Sequence, residues 1–427
     1  MTIYRATVLD TPESPFAGGR LRSEQDAAIV VQDGVIRARG SFADVARDHA
    51  GEEVVDLRGG VLLPGFVDTH VHYPQLRVIG GIGMPLLDWL DRCALPEEAR
   101  LADQAYARAV ASEFVHGLVA AGTTSALVFG SHFASAVDSL FAEAGRVGLR
   151  VTAGLVVGDR ILRSDLLTTP ERAHEEGQGL ATRWHRQGRL RYAVTPRFSL
   201  FASPELLESC ASLAKDVDGA WFTSHINENV AEIEQVARQH RLAIDYLDTY
   251  DRYGLVGRQS VFAHNVHATD RELAVLGAQQ AAVAHCPTSN AALASGLFPL
   301  KRHVEYDIRV ALGSDVGAGT GLSLIKEGLQ AYFIQQLQQG SGLSLTAAHL
   351  LYLATSAGAD ALGLEDVGDL SVGRQFDAVW VRPPAGSTLE TALEHAQDPD
   401  DALAKVFALG GVADTAGVWV GGTRLLG

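Results

Sequence analysis

From Gly60 onward, short apolar segments alternate with amphipathic helical segments, and this alternation constrains the fold more than any other feature of the chain. It is typical of a parallel sheet built from βα units. We count eight such apolar segments, and eight strands close a (β/α)8 barrel. They span residues 62–70, 124–129, 150–157, 190–196, 220–225, 260–264, 281–286 and 309–315.

The segments between and after these strands have helical periodicity. We predict helices at residues 105–121, 134–147, 204–215, 230–238, 269–276, 324–338 and 344–362. Short β segments occupy both ends of the chain, at residues 4–9, 27–31, 35–39 and 54–56 and again at 376–381, 404–409 and 418–426. The sequence therefore predicts an α/β fold: a (β/α)8 TIM-like barrel (63–368) and a small β-sandwich domain formed by both termini (1–62 and 369–427).

Charge and cysteine content exclude several classes of protein. A net charge of −16 repels phosphate backbones, which argues against a nucleic-acid partner. The cysteines Cys93, Cys210 and Cys286 are too few and too scattered for a disulfide framework. The N-terminal residues do not resemble a signal peptide, and no apolar run reaches membrane-spanning length. We therefore expect a soluble, cytoplasmic protein that acts on a small molecule and binds no membrane.

The segment PGFVDTHVHYPQ, residues 64–75, places two histidines where a first barrel strand would end. Side chains two residues apart on a strand point to the same face, so His70 and His72 can approach one metal ion. Further polar residues follow later strands: His225 in WFTSHINEN, His264 in VFAHNVH and Asp315 in VALGSDVGAG. Active sites of (β/α)8 barrels lie at these strand ends, so a shared metal site is predicted.

The motifs LLDWL, TTSALVFG, VTPRF, SHINEN, AHCPTSN, SGLFPLK and LGSDVGAGT, together with those above, resemble the amidohydrolase superfamily and, within it, the guanine deaminase family. The resemblance implies a metal-dependent aminohydrolase of purine catabolism or salvage that converts guanine to xanthine and ammonia, as a homodimer. It implies one divalent ion per chain, Zn²⁺ with Fe²⁺ as the alternative. The implied metal ligands are His70, His72, His225 and Asp315, and the implied catalytic residues are Glu228 and His264.

The chemistry of such a site also follows from the residue types. A zinc ion lowers the pKa of bound water from about 15.7 to about 7, which supplies a nucleophile. A carboxyl group must then carry a proton to the leaving nitrogen, and Glu228, three residues past His225, is the candidate. Asp315 could take the first proton from the water, and His264 could hydrogen-bond the attacking oxygen.

Four residues are candidates for substrate binding. Arg197 follows the fourth strand, and an arginine fork matches the O6/N7 edge of guanine. Gln75 could hydrogen-bond ring N3 and the exocyclic amine, and Phe198 and Trp89 could stack on the ring. His267 and His285 also lie near strand ends and could support the site.

Other functions fit the sequence less well. A binuclear hydrolase would need a bridging lysine at a strand end, and no lysine lies there. Cytidine-type deaminases need P-C-x-x-C, which is absent. A non-catalytic barrel would be expected to have lost metal ligands. The same reaction on 8-oxoguanine, a pterin or a triazine stays open, because residues 94–98 (ALPEE) and Asn227 depart from the family pattern.

Overall fold

The computed structural model describes residues 1–427 and contains sixteen strands in two separate sheets. The first four are β1 (Thr2–Asp10), β2 (Arg22–Gln32), β3 (Val35–Ser41) and β4 (Glu53–Pro64). The central nine are β5 (Phe66–His72), β6 (Thr123–Phe129), β7 (Arg150–Gly154), β8 (Val156–Val157), β9 (Leu190–Pro196), β10 (Trp221–Ile226), β11 (Ser260–His264), β12 (Ala282–His285) and β13 (Arg309–Leu312). The last three are β14 (Ala378–Val381), β15 (Thr415–Val420) and β16 (Thr423–Leu426).

The two ends of the chain pair into one separate sheet, which confirms that both termini contribute to the same β structure beside the barrel. Its seven strands are hydrogen-bonded in the order β16-β15-β14-β4-β1-β2-β3, and β14 runs antiparallel to β4. Register shifts interrupt β1 between Ala6 and Val8, and such bulges bend a strand. One face carries an apolar core of 14 buried residues, in which Tyr4 stacks on Phe376 at 4.6 Å between ring centroids.

The central strands form the predicted parallel barrel, in the order β13-β12-β11-β10-β9-β7-β6-β5, with β8 paired to β9. The two end strands meet through the segment after β13. The amide of Asp315 donates to the carbonyl oxygen of His70 at 2.8 Å, and the amide of His72 donates to that of Val316 at 2.9 Å. These bonds place Asp315 directly beside the two histidines.

Seventeen α-helices accompany the strands, and none is both long and apolar enough to cross a membrane. They are Phe42–Asp48, Leu86–Trp89, Leu95–Ala99, Gln104–Ala120, Ala134–Val147, Pro170–Trp184, Pro204–Asp216, Val230–Gln239, Asp248–Asp251, Asp270–Ala278, Pro287–Ala292, Leu300–Glu305, Leu324–Leu337, Ala347–Ala354, Ser356–Ala361, Thr388–Glu394 and Pro399–Leu409. The predicted helix at 344–362 is thus two helices, divided at Thr355.

The predicted β segment at 404–409 is wrong, because these residues end the helix Pro399–Leu409. Asp398 caps this helix by accepting from the amide of Asp401, and Pro399 occupies its first turn. Leu403, Val406 and Phe407 are buried at helical spacing. Asp398 and Pro399 are helix-start signals, but the short apolar run that follows them is compatible with a strand as well as with a helix.

The predicted first barrel strand, 62–70, spans two elements. Residues up to Pro64 belong to β4 of the terminal sheet, and the barrel strand β5 begins at Phe66. Gly65 separates them, and its amide donates to the carbonyl oxygen of Asp377 in the terminal sheet at 2.9 Å. A side chain at this position would clash with Thr124 of β6, because a Cβ atom on residue 65 would lie 2.2 Å from Cγ2 of Thr124.

We therefore expect Gly65→Ala to destabilise the protein. Overpacking of a closed site typically costs about 1–3 kcal/mol, so the melting temperature should fall by a few degrees. Gly257→Ala is the matched control, because a Cβ at Gly257 meets no atom within 4 Å. Equal melting temperatures of the two variants in differential scanning fluorimetry would contradict the close packing of Gly65 against Thr124.

Candidate metal centre and substrate pocket

Strand β5 carries the two histidines of the H-x-H motif into the barrel mouth. All seven of its residues are buried, as expected for a central strand of a parallel sheet. The Nε2 atoms of His70 and His72 lie 3.2 Å apart, and Asp315 Oδ1 lies 3.1 Å from the first and 3.2 Å from the second. The three side chains predicted to share a site therefore do converge.

His225 and His264 complete the cluster from β10 and β11. His225 Nδ1 donates to the carbonyl oxygen of Arg197 at 2.5 Å, which leaves its Nε2 unprotonated and 3.1 Å from His72 Nε2. His264 Nδ1 pairs with Asn290 Oδ1 at 2.9 Å. His264 Nε2 lies 3.7 Å from Asp315 Oδ2 and has no hydrogen-bond partner.

The charge states of this cluster suit a divalent cation. Burial lowers the pKa of His72 to about 4 and also lowers the pKa values of His70 and His225, so these rings are neutral near pH 7. Burial alone would raise the pKa of Asp315, but the neighbouring His70 and His72 hold it well below its usual range. Neutral imidazoles with one carboxylate are a donor set that zinc prefers.

The spacing of the donor atoms fits as well. One donor atom each from His70, His225, His264 and Asp315 lies within 4.8 Å of the others, and His72 Nε2 lies among them. Ligand atoms about 2.0–2.2 Å from a tetrahedral ion are separated by roughly 3.3–3.6 Å, close to the spacing of these atoms. The unpartnered Nε2 of buried His264 is a further donor aimed at the same point.

Glu228 lies on the loop after β10 and faces the same centre. Its Oε2 lies 3.5 Å from His264 Nε2, and its Oε1 accepts from the hydroxyl of Ser295 at 3.2 Å. Burial, with the nearby charge of Asp315, raises the pKa of Glu228 to about 8. A carboxyl group with a pKa near neutrality can both take up and release a proton.

A single cavity unites the donor cluster with the predicted substrate residues. Gln75, Trp89, Arg197 and Phe198 all line it. So do His72, His225, Glu228, His264 and Asp315, while His70 lies beneath them. The remaining wall is apolar and consists of Leu86, Leu90, Leu293 and Ala318.

Comparison with known proteins agrees with this arrangement. The amidohydrolase family pattern matches residues 61–425, which covers the barrel and the cavity. The chain belongs to the amidohydrolase family.

Several proteins similar to this amidohydrolase are guanine deaminases. A probable guanine deaminase of Deinococcus radiodurans is 61% identical over 99% of this chain and 98% of its own length. The structure of E. coli guanine deaminase superposes with a TM-score of 0.95 at 35% identity, with 99% of each chain covered. The guanine deaminase of C. acetobutylicum, with guanine bound in its active site, superposes with a TM-score of 0.92 at 26% identity, again over 99% of each chain.

Sequence reasoning missed several residues of the amidohydrolase site. Glu98 is buried behind the cavity, where it contacts Arg197, Gln75 and His132. The acidic pair in ALPEE was visible, but the sequence does not say which glutamate faces inward. Asn290 and Ser295, which contact His264 and Glu228, are polar residues without a pattern of their own.

The two histidines predicted to support the site differ in their contacts. His267 Nε2 donates to the carbonyl oxygen of Ser295 at 2.6 Å, so it steadies the residue that contacts Glu228. The ring of His285 stacks on Phe298 at 4.2 Å between centroids, and neither of its nitrogens has a hydrogen-bond partner. His285 is therefore a packed core residue.

Four residues at the amidohydrolase centre have left-handed backbone conformations: Asn227, His264, Asn265 and Asp315, with φ values of 48°, 72°, 50° and 46°. Non-glycine residues rarely adopt such values, and they concentrate at functional sites. Tertiary hydrogen bonds hold them, including that from the amide of Asn265 to the carbonyl oxygen of Ile226 at 2.9 Å.

Proposed function

We propose that this amidohydrolase hydrolyses guanine to xanthine and ammonia, as a step of purine catabolism or salvage. The observation that carries the proposal is the shared cavity, in which a metal-donor cluster, a proton-carrying carboxyl group and an arginine face one another. Guanine deaminase relatives that match almost the whole chain support the same substrate.

In this proposal His70, His72, His225 and Asp315 hold one divalent ion, most aptly Zn²⁺, with Fe²⁺ as the alternative. When bound, the ion would lower the pKa of a water molecule to about 7 and so supply a nucleophile at neutral pH. His264 Nε2, unpartnered and between Asp315 and Glu228, would hydrogen-bond the attacking oxygen.

The carboxyl groups carry the protons. As the water oxygen bonds to C2 of guanine, Asp315 accepts the first proton. The C2=N3 electron pair moves to N3, which Glu228 protonates. Glu228 then takes the remaining hydroxyl proton and delivers it to the 2-amino nitrogen, the C2–N bond breaks with its electron pair going to nitrogen, C2=O forms and ammonia leaves. The proton held by Asp315 returns to Glu228. The raised pKa of Glu228, about 8, suits a group that must give a proton up near neutral pH.

Recognition of the ring is assigned to the other polar and aromatic residues that line the cavity. Arg197 would donate to O6 and N7, and Gln75 would donate from the adjacent side of the cavity. Phe198 and Trp89, both buried at the cavity wall, would pack against the faces of the ring.

Arg197→Ala tests whether guanine is the substrate. Charge-assisted hydrogen bonds contribute about 1.5–3 kcal/mol each, so kcat/KM for guanine is expected to fall at least about a hundredfold. The metal content should not change, because His225 is held by the main-chain carbonyl of Arg197. Ammonia release and metal analysis measure the two effects.

The matched control is Arg100→Ala, which removes an arginine paired with Glu97 at 3.0 Å outside the cavity. Its kcat/KM should stay near that of the unmodified protein. Deamination of adenine as fast as guanine, or full guanine turnover by Arg197→Ala, would reject guanine as the substrate.

The resemblance to the family also leads us to propose a cytoplasmic homodimer with a catalytic barrel at 63–368 and a β-domain from 1–62 and 369–427. Light scattering on the purified protein would measure the oligomeric state. A monomer at micromolar concentration would contradict it.

A further inference from the structure

Glu98 occupies the centre of a buried polar network behind the cavity wall. Arg197 Nη1 donates to both of its carboxylate oxygens, at 2.7 and 2.6 Å, and Gln75 Nε2 donates to its Oε1 at 2.7 Å. Glu98 itself is only 2% exposed and does not line the cavity, whereas Arg197 and Gln75 both do. It therefore acts on a bound molecule only through these two residues.

Glu98 determines which way the amide of Gln75 faces. Gln75 Oε1 accepts from the amide of Gly317 at 3.0 Å, while its Nε2 donates to Glu98. The opposite orientation would set the amide oxygen against the carboxylate and the amino group against an N–H. The orientation shown is thus the only one that satisfies both neighbours, and it leaves the second N–H of Nε2 for a ligand.

The same carboxylate anchors Arg197. Only Nη1 of this guanidinium has partners within the protein, so Nη2 and Nε are left as donors at the cavity wall. His132 Nε2 lies 3.2 Å from the second oxygen of Glu98. Burial alone would raise the pKa of Glu98, but Arg197 and His132 lower it well below its usual range, so the carboxyl group is ionised.

We propose that Glu98 is a positioning residue that makes the cavity selective for purines with an oxygen at C6 over those with an amino group there. By orienting Arg197 and Gln75, it makes both present N–H donors. An oxo group with an adjacent unprotonated ring nitrogen accepts from such donors, whereas an amino group opposes them. This inference rests on the proposed function, because it takes guanine as the substrate.

The test compares guanine with 2,6-diaminopurine, which carries the same 2-amino leaving group but an amino group at C6. The unmodified protein should strongly prefer guanine. Glu98→Gln removes the charge that anchors Arg197 and frees the amide of Gln75 to reverse. We expect the ratio of kcat/KM for guanine to that for 2,6-diaminopurine to fall by about ten- to a hundredfold.

Glu97→Gln is the matched control, because Glu97 is the adjacent buried carboxylate and pairs with Tyr106 and Arg100 outside the cavity. In Glu97→Gln, the ratio of kcat/KM for guanine to that for 2,6-diaminopurine should not change. Glu98→Asp keeps the charge but cannot reach both partners, so its ratio should fall by less than that of Glu98→Gln. If Glu98→Gln does not fold, Glu98→Asp provides the test.

Equal losses on both substrates, or an unchanged ratio in the Glu98 variants, would overturn the inference and leave guanine deamination intact. Failure of the unmodified, metal-loaded protein to release ammonia from guanine would instead reject the proposed function. The two failures are therefore distinguishable.

Discussion

Glu228→Gln is expected to lower kcat by about 10²–10⁴-fold, the usual contribution of a positioned acid or base, while the metal stays bound. Glutamine keeps the shape of the side chain and can still accept from Ser295, but it cannot carry a proton. Glu228 is not among the proposed metal ligands, so its loss should separate proton transfer from metal binding.

The control for this result is Glu327→Gln. Glu327 is also fully buried, and burial raises its pKa to about 8, but it binds Thr288 and does not line the cavity. Its turnover should remain within a few-fold of the unmodified protein. Near-normal turnover by Glu228→Gln would place the proton carrier on another residue.

His225→Ala is expected to remove the metal and the activity together. The unmodified protein should contain about one divalent ion per chain, and the variant close to none, because His225 is the donor that joins β10 to the cluster on β5. Metal analysis of protein purified without added metal measures this. The same analysis identifies the bound ion as zinc or iron.

His240→Ala is the control, since His240 Nε2 contacts the carbonyl oxygen of Ser199 at 2.9 Å and does not line the cavity. It should retain the ion. Two tightly bound ions per chain in the unmodified protein, or full metal content in His225→Ala, would contradict the single-ion site.

The sequence by itself determined the barrel and the position of its centre. Apolar runs that each end in a histidine or aspartate need no tertiary information to predict a shared site, because parallel strands of a barrel bring their carboxyl ends to one face. His70, His72, His225, His264 and Asp315 converge for that reason. Gln75, Trp89, Arg197 and Phe198 were likewise predicted and line one cavity.

Only the tertiary structure decided the contacts between residues far apart in sequence. Glu97 and Glu98 are adjacent and chemically alike, yet one pairs with Arg100 on its own turn and the other with Arg197, 99 positions away. Packing against Thr124 and Asp377 sets the boundary at Gly65, and burial against neighbouring helices makes 404–409 helical. Local patterns specify which face of an element is buried, but the partner it meets depends on how the whole chain folds.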